Sequence, residues 1–210
     1  MVVEKKDDPG GKLHTTGIIV KEAAEESPML AGLPAGLVRK LTGVRLYAPN
    51  LRHIDLISPN YYFLSTDTPE LLRWLTRRAR AAGADVRLGT EFSGTTRLSN
   101  GYALEGIGEA SYLVGPDGPG SRVAREMRLG QNTETLSGVE YEYAPFEYER
   151  PELLHCFIDR QLAPGYICWV VNGVGVMQVG LALRHRTGVT LSPKRSEEHT
   201  SELQSRLHLV

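Results

Sequence analysis

Two short segments of this sequence hold residues arranged to bind a ligand rich in oxygen. The first is Glu4, directly after the apolar pair Val2-Val3. An acid closing a strand accepts hydrogen bonds, and two oxygens suit a vicinal diol. The second is Val114-Gly115-Pro116-Asp117-Gly118-Pro119-Gly120-Ser121-Arg122. An extended segment ends here, glycines let the backbone approach a ligand, and a helix begins. The free N–H groups of a first helical turn suit phosphate or sugar oxygens, and Asp117 can accept from ligand hydroxyls. Each segment also has a plainer explanation. With no G-x-G-x-x-G loop ahead of it, Glu4 is an ordinary surface acid. Asp117-Gly118 alone makes a turn.

Other chemistries lack their residues. His14, His53 and His155 are far apart with no ligand spacing, so no metal site is expected. There is no G-x-S-x-G elbow and no G-x-x-x-x-G-K-[ST] loop. Arg73, Arg77, Arg78 and Arg80 fit a solvated helix face. Cys168 beside Trp169 fits strand packing better than redox work, and two cysteines, Cys156 and Cys168, make no disulfide framework.

These residues need elements to position them. The clearest is a helix over 69–82. Thr68 can cap it, Pro69 suits its first position, and Glu70 suits the positive end of its dipole. Leu71, Leu72, Leu75, Ala79 and Ala82 share one face, and Gly83 stops it. The following ADVRL reads as a strand, so helix, tight turn and strand form half of a βαβ unit. Short helices are expected over 18–25, 36–41 and 121–128. Strands are expected at 2–3, 44–47, 53–57, 103–105 and 112–114. After Gly130 the pattern changes to long strands at 138–149, 153–159, 166–171 and 176–183, which suggests a second, sheet-based part.

The 210 residues carry 24 Lys+Arg and 25 Asp+Glu, a net charge of −1. That balance argues against a nucleic-acid partner. Hydrophobic content of 41% with 23% charged residues is that of a globular chain. The longest apolar stretch, 166–183, is too interrupted to be a transmembrane segment. Without a signal peptide, the expected location is cytoplasmic.

At Asp117 the residues form a recognisable pattern. YLVGPDGPGSRVAREMRLG resembles the "DG" motif of FAD-dependent oxidoreductases related to p-hydroxybenzoate hydroxylase and geranylgeranyl reductase. The family pattern is G-A-D-G-x-x-S-x-V-R. Gly115, Asp117, Gly118, Ser121 and Val123 match, and Pro116 stands for Ala. The resemblance extends in both directions. MVVEKKDDPGGKLHTTGI is similar to the family's second strand, ribose-binding acid and flavin-side loop, where reductases have Lys-x-Cys-Gly-Gly. His14 replaces that Cys. TDTPELLRWLTRRARAAGADVRLGT is similar to the R-x-x-F-D-x-x-L helix and its strand, without the Arg, Phe and Asp. APGYICWVVNGVGVMQVGLAL resembles the reductase A-P-G-G-Y-x-W-x-F-P and V-G-L segments, with Ile167 for Tyr, Val171 for Phe and Asn172 for Pro.

The resemblance implies an α/β fold, with an incomplete Rossmann-like FAD-binding domain interleaved with a β-sheet substrate domain. It implies FAD as cofactor, with Glu4 on the adenosine ribose, Asp117 and Gly118 near the ribityl or pyrophosphate, and Lys12, His14, Thr15, Thr16 and Gly17 near the flavin. Tyr143 and Trp169 are the expected substrate-pocket residues, on a sheet also carrying Tyr141, Cys156 and Met177. The implied reaction passes hydride from NAD(P)H through flavin to a small-molecule or isoprenoid-type substrate. The alternatives are monooxygenation of a small aromatic compound, or a truncated chain without activity. No catalytic residue is named.

The expected organisation is a partial FAD-binding domain over 1–130, with substrate-domain strands inserted at about 42–65, and a substrate-domain sheet over 131–194. RSEEHTSELQS, residues 195–205, matches the in-frame translation of a common sequencing adapter. Residues 195–210 are therefore expected to be foreign, and the family's phosphate loop and last flavin motif are expected to lie outside this sequence.

Overall fold

A computed structural model describes residues 1–11, 13, 17–130 and 132–184. The expectations for Lys12, His14, Thr15, Thr16 and the 195–210 tail lie outside the described residues. The chain divides into two compact units, one of Met1–Gly11 with Arg73–Thr135, the other of Lys12–Leu72 with the chain from Leu136 on.

In the first unit, β1 (Val2–Val3) pairs in parallel with β7 (Val86–Arg87). Val2 N–H donates to the Asp85 carbonyl at 2.7 Å and Glu4 N–H to the Arg87 carbonyl at 3.0 Å. A three-stranded antiparallel meander follows: β8 (Thr95–Leu98), β9 (Gly101–Leu104) and β10 (Gly108–Ala110). A short helix, α3 (Arg122–Glu126), closes the unit's main features. Residues 112–114 join no ladder, and Tyr112 and Val114 are 87% and 81% exposed. The strand expected there does not form, because no described strand lies alongside to take up its N–H and C=O groups.

Helix α2 (Thr68–Ala81) runs from the second unit into the first. Its N-cap is Asp67, one residue before the expected Thr68. Asp67 Oδ1 accepts from Glu70 N–H at 3.0 Å, and the Asp67 carbonyl accepts from Leu71 N–H. A carboxylate at the dipole's positive end is the stronger acceptor. At the other end, Gly83 takes φ +88°. Gly83 N–H bonds to the Arg80 carbonyl and Ala84 N–H to the Ala79 carbonyl. This is a Schellman closure, which needs the left-handed conformation at residue 83.

The second unit has two sheets. In the smaller, β6 (Phe63–Thr66) lies between β2 (Ile18–Val20) and β3 (Val38–Leu41), all antiparallel. This corrects two expected helices. The β-branched run Ile18-Ile19-Val20 pairs with β6, and only then does α1 (Lys21–Glu26) begin. Residues 35–37 make one 3-10 turn before β3. Six residues rarely sustain a helix unaided, and strand pairing supplies the missing partners.

The larger sheet has six strands: β11 (Leu136–Tyr143), β14 (Met177–Arg184), β13 (Cys168–Asn172), β12 (Leu153–Phe157), β4 (Gly43–Tyr47) and β5 (His53–Leu56), in that spatial order. Only β12 and β4 run parallel in it. One face is the core. Tyr47, Phe157, Cys168, Val170, Met177, Val179 and Leu181 are buried there with Leu162 and Ala163, and Tyr143, Phe146 and Tyr148 pack against them.

A charged network centred on buried Arg45 ties β4 to the segment before β12. Arg45, 3% exposed, donates to both Asp55 oxygens at 2.6 and 3.0 Å and to Glu149 at 2.8 Å. Asp55 first, then Glu149, raises the Arg45 pKa against the opposing cost of burial. His155, fully buried, has its pKa lowered by desolvation and is neutral. Its Nε2 lies 3.1 Å from the Arg150 carbonyl, which only accepts, so Nε2 carries the proton. Nδ1 then accepts from the Tyr47 hydroxyl at 3.0 Å.

Candidate functional site

Glu4 sits where β1 ends. Its backbone continues the ladder: the N–H donates to Arg87, and the carbonyl accepts from Thr90 N–H at 2.9 Å. Its carboxylate is turned back by Lys6 N–H, which donates to Oε1 at 2.9 Å. An acid so fixed at the carboxyl end of a parallel strand keeps acceptor capacity on its other oxygen, as a diol partner requires.

Just beyond, Asp8 and Arg73 form a clamp that the sequence reading missed. The Arg73 guanidinium donates to both Asp8 oxygens, and Gly10 N–H donates to Oδ1 at 2.9 Å. The Arg73 hydrogen bond is the main reason that the Asp8 pKa falls to about 2, with the Gly10 N–H second. Arg73 is therefore not merely solvated: it fastens the loop after Glu4 to α2. An Arg on that helix with an acid in a Gly-rich loop was the only sequence signal, and it did not specify the pairing.

The Asp117 carboxylate spends its hydrogen bonds on its own loop. Oδ1 accepts from the Ser121 hydroxyl, and Oδ2 accepts from Arg122 N–H at 2.7 Å and Val123 N–H at 3.2 Å. Ser121 Oγ in turn accepts from Ala124 N–H at 2.9 Å and caps α3. Ser121, then the two backbone N–H groups, holds the Asp117 pKa below the usual carboxylate range despite some desolvation. Asp117 thus shapes the loop before it contacts any ligand. Gly118 holds φ +85°, and a Cβ there would meet open space, so its backbone is approachable.

Gly17 lies in the second unit, at the entry to β2. A Cβ there would fall 1.9 Å from Thr68 Oγ1 and 2.3 Å from Thr66 Oγ1, and φ is +69°. Its carbonyl accepts from both Thr66 N–H at 3.0 Å and Thr66 Oγ1 at 2.9 Å. Only glycine fits, for reasons internal to the fold.

The two expected pocket residues separate. On β11, residues 140 and 143 differ by an odd number and so point to opposite faces. Glu140, Gly180 and Trp169 pair in one row, whereas Tyr143 pairs with Met177 on the core face. A pocket over one face cannot be lined by both. Tyr143 and Met177 belong to the core; Trp169 and Cys156 lie on the other face. Row neighbours across all six strands are Ile54, Leu46, Cys156, Trp169, Gly180 and Glu140. This row is apolar except for Glu140, and Ile54 at its edge is 58% exposed. An open groove of about 350 Å³ adjoins it, lined in part by Leu46, Ala48, Ile54 and Ile158. Burial alone pushes the Cys156 thiol up to about 12, so it is inert. Among the described residues no three His, Cys, Asp or Glu side chains could together hold a metal ion, and no helix is long and apolar enough to cross a membrane.

The parallel β1–β7 pair with its terminal acid, the glycine loop before α3 and the large mixed sheet belong to a mixed α/β fold like that of solved flavoproteins. No family model matches the sequence. The chain is 25% identical over 155 residues to geranylgeranyl diphosphate reductase of Rhodobacter capsulatus, covering 69% of this chain and 40% of that protein. A geranylgeranyl bacteriochlorophyll reductase-like protein of Thermoplasma acidophilum superposes with a TM-score of 0.78 at 18% identity, over 97% of this chain and 54% of that one. A flavoprotein/dehydrogenase of Cytophaga hutchinsonii gives 0.70 at 15% identity, over 98% and 56%. The tetrameric form of 2-methyl-3-hydroxypyridine-5-carboxylic acid oxygenase gives 0.65 at 15% identity, over 97% and 57%. The chain thus spans about half the length of these solved proteins, and less than half of the curated relative.

Proposed function

We propose that this chain is part of an FAD-dependent oxidoreductase of the geranylgeranyl reductase-like kind. The observation that carries this reading is the superposition of nearly the whole chain on a reductase-like flavoprotein, and the Glu4 and Asp117 motifs of the sequence support it. FAD would supply hydride transfer. The chain's own part is binding and orientation. Glu4 would hold the adenosine ribose through its carboxylate. The Gly118 backbone, kept open by the Asp117–Ser121 turn, would approach the middle of the cofactor, with Lys12, Thr16 and Gly17 toward the flavin. Holding the adenosine and pyrophosphate needs the phosphate loop as well, so the isolated 210-residue chain would bind FAD weakly.

The partial FAD-binding domain would comprise the first unit, and the substrate domain the second. The substrate would be a small or isoprenoid-type organic molecule lying on the Trp169 face, which is apolar along its central row. NAD(P)H would be the reductant, no nucleic acid would take part, and the working location would be the cytoplasm. The test is to express the natural gene containing residues 1–194 and measure stoichiometric FAD and its anaerobic bleaching by NADH or NADPH. A colourless, folded protein would overturn the reading. A second reading, monooxygenation, draws support from the oxygenase fold match. Substrate-dependent oxygen uptake with a hydroxylated product would select it over reduction.

A further inference from the structure

We propose that Glu140 is a positioning residue for Trp169, holding the indole flat across the sheet as a plate on which an apolar, extended substrate lies. This rests on the substrate-face reading given under Proposed function. Three observations combine. Trp169, Gly180 and Glu140 are directly paired on the adjacent strands β13, β14 and β11. Residue 180 is open to the indole: a Cβ there would lie 2.3 Å from Cζ2 and 2.4 Å from Cε2. Trp169 Nε1 donates to Glu140 Oε2 at 2.8 Å, so the ring spans the middle strand and is fastened on the far side.

Glycine in a central strand weakens a sheet, since it packs nothing and costs backbone entropy. Here the indole lies over the vacant position. A ring that merely filled space would not need an acid two strands away. A hydrogen bond to a carboxylate is stronger and more directional than one to a neutral acceptor, and it removes the ring's remaining torsional freedom. Trp169 remains half-buried, and its row continues through buried Cys156 and half-buried Leu46 to exposed Ile54. The result is a rigid aromatic plate at one end of an apolar track, about three strand spacings or roughly 14 Å from Ile54. Its one polar atom is consumed by Glu140, so it offers the substrate only its π surface.

The test uses the full chain with Trp74→Phe, which leaves Trp169 as the single tryptophan. Acrylamide quenching of its fluorescence and saturable energy transfer to cis-parinaric acid, a linear conjugated apolar probe, are measured with thermal midpoint and circular dichroism. Glu140→Gln keeps an acceptor oxygen and should bind the probe within about twofold of the parent. Glu140→Ala should raise quenching and weaken the probe about tenfold, equivalent to about 1.4 kcal/mol, with circular dichroism unchanged. Gly180→Ala should do the same by displacing the ring. If Glu140→Ala fails to fold, Gly180→Ala and Glu140→Gln decide. Equal probe affinity in parent, Glu140→Ala and Gly180→Ala overturns the proposal, as does a loss of affinity that follows thermal midpoint in every variant, Glu140→Gln included. FAD titration of the natural gene product is scored separately, so loss of the flavoprotein reading and loss of the Trp169 plate are distinguishable.

Discussion

The Asp117 loop and the six-stranded sheet solve different problems with different means. In the loop, the carboxylate and the hydroxyl find their partners within six residues, Asp117 on Ser121, Arg122 and Val123, and Ser121 on Ala124, while the Arg122 guanidinium reaches the Ser93 carbonyl. Asp117 and Arg122 stay exposed. In the sheet, Arg45 reaches 104 residues along the chain to Glu149, and His155 packs 108 residues from Tyr47. The loop therefore presents backbone at Gly118 while burying only the Val123 side chain behind it. The sheet is a cooperative block whose parts fail together. Binding loops draw on the first kind of structure and scaffolds on the second.

That contrast can be broken or sharpened by experiment, starting with the largest effect. Truncating Leu181→Ala in the core face should cost about 3 kcal/mol, read as a lowered urea midpoint with unchanged slope. No change would mean that this core face is not packed. Arg45→Ala removes the partner of Asp55 and Glu149. Because Glu149 is half-exposed, the expected loss is about 2 kcal/mol, below that for breaking a fully buried pair. Double replacement by Arg45→Met and Asp55→Leu should recover part of it.

Gly17→Ala sets a side chain against Thr66 and Thr68 at a positive φ, and should cost about 1–3 kcal/mol. Thr68→Ala should partly rescue it by clearing the nearer hydroxyl. A neutral Gly17→Ala would show that the Thr66–Thr68 contact yields easily.

The pH dependence follows from His155. Its folded pKa lies below the ordinary value of about 6.5, so the unfolded chain takes up the proton first. Stability should be full above that pH and decline as pH falls below it. Asp8 acts elsewhere. Its folded pKa of about 2 means that its contribution fades only between about 4 and 2. A slope between about pH 7 and 5 that vanishes in His155→Gln therefore belongs to the sheet. The smallest effect should come from Asp117→Asn: no measurable shift of the global midpoint, but faster amide exchange at Arg122 and Val123. A change in exchange across β13 or β14 would erase the distinction between loop and sheet.

Legibility in the sequence divides along the same line. Helix α2 is readable because Pro69 and Glu70 at one end and Gly83 at the other each act within one turn of their own helix end, and even there the cap moves by one residue to the stronger acceptor. The Asp117 loop is readable for the same reason. Residues 18–20 and 38–41 look helical in isolation and form strands because their state depends on β6, which is 22 residues or more away in the sequence. Tyr112 to Val114 has a strand's composition, but a segment without a ladder partner is no strand. The Asp8–Arg73 clamp spans 65 residues, so nothing local specifies the pairing.

The sequence by itself determined the long strands after Gly130, the turn chemistry of the Asp117 loop, and the resemblance that singles out Glu4. Each depends on near neighbours or on a motif. Tertiary structure alone decided which face each strand residue joins. A one-residue change of register exchanges the faces of a strand, and only pairing fixes register. That is why Tyr143 and Trp169, alike as aromatics on long strands of one sheet, part to opposite sides, one into the core and the other onto the face where Glu140 and Gly180 hold it.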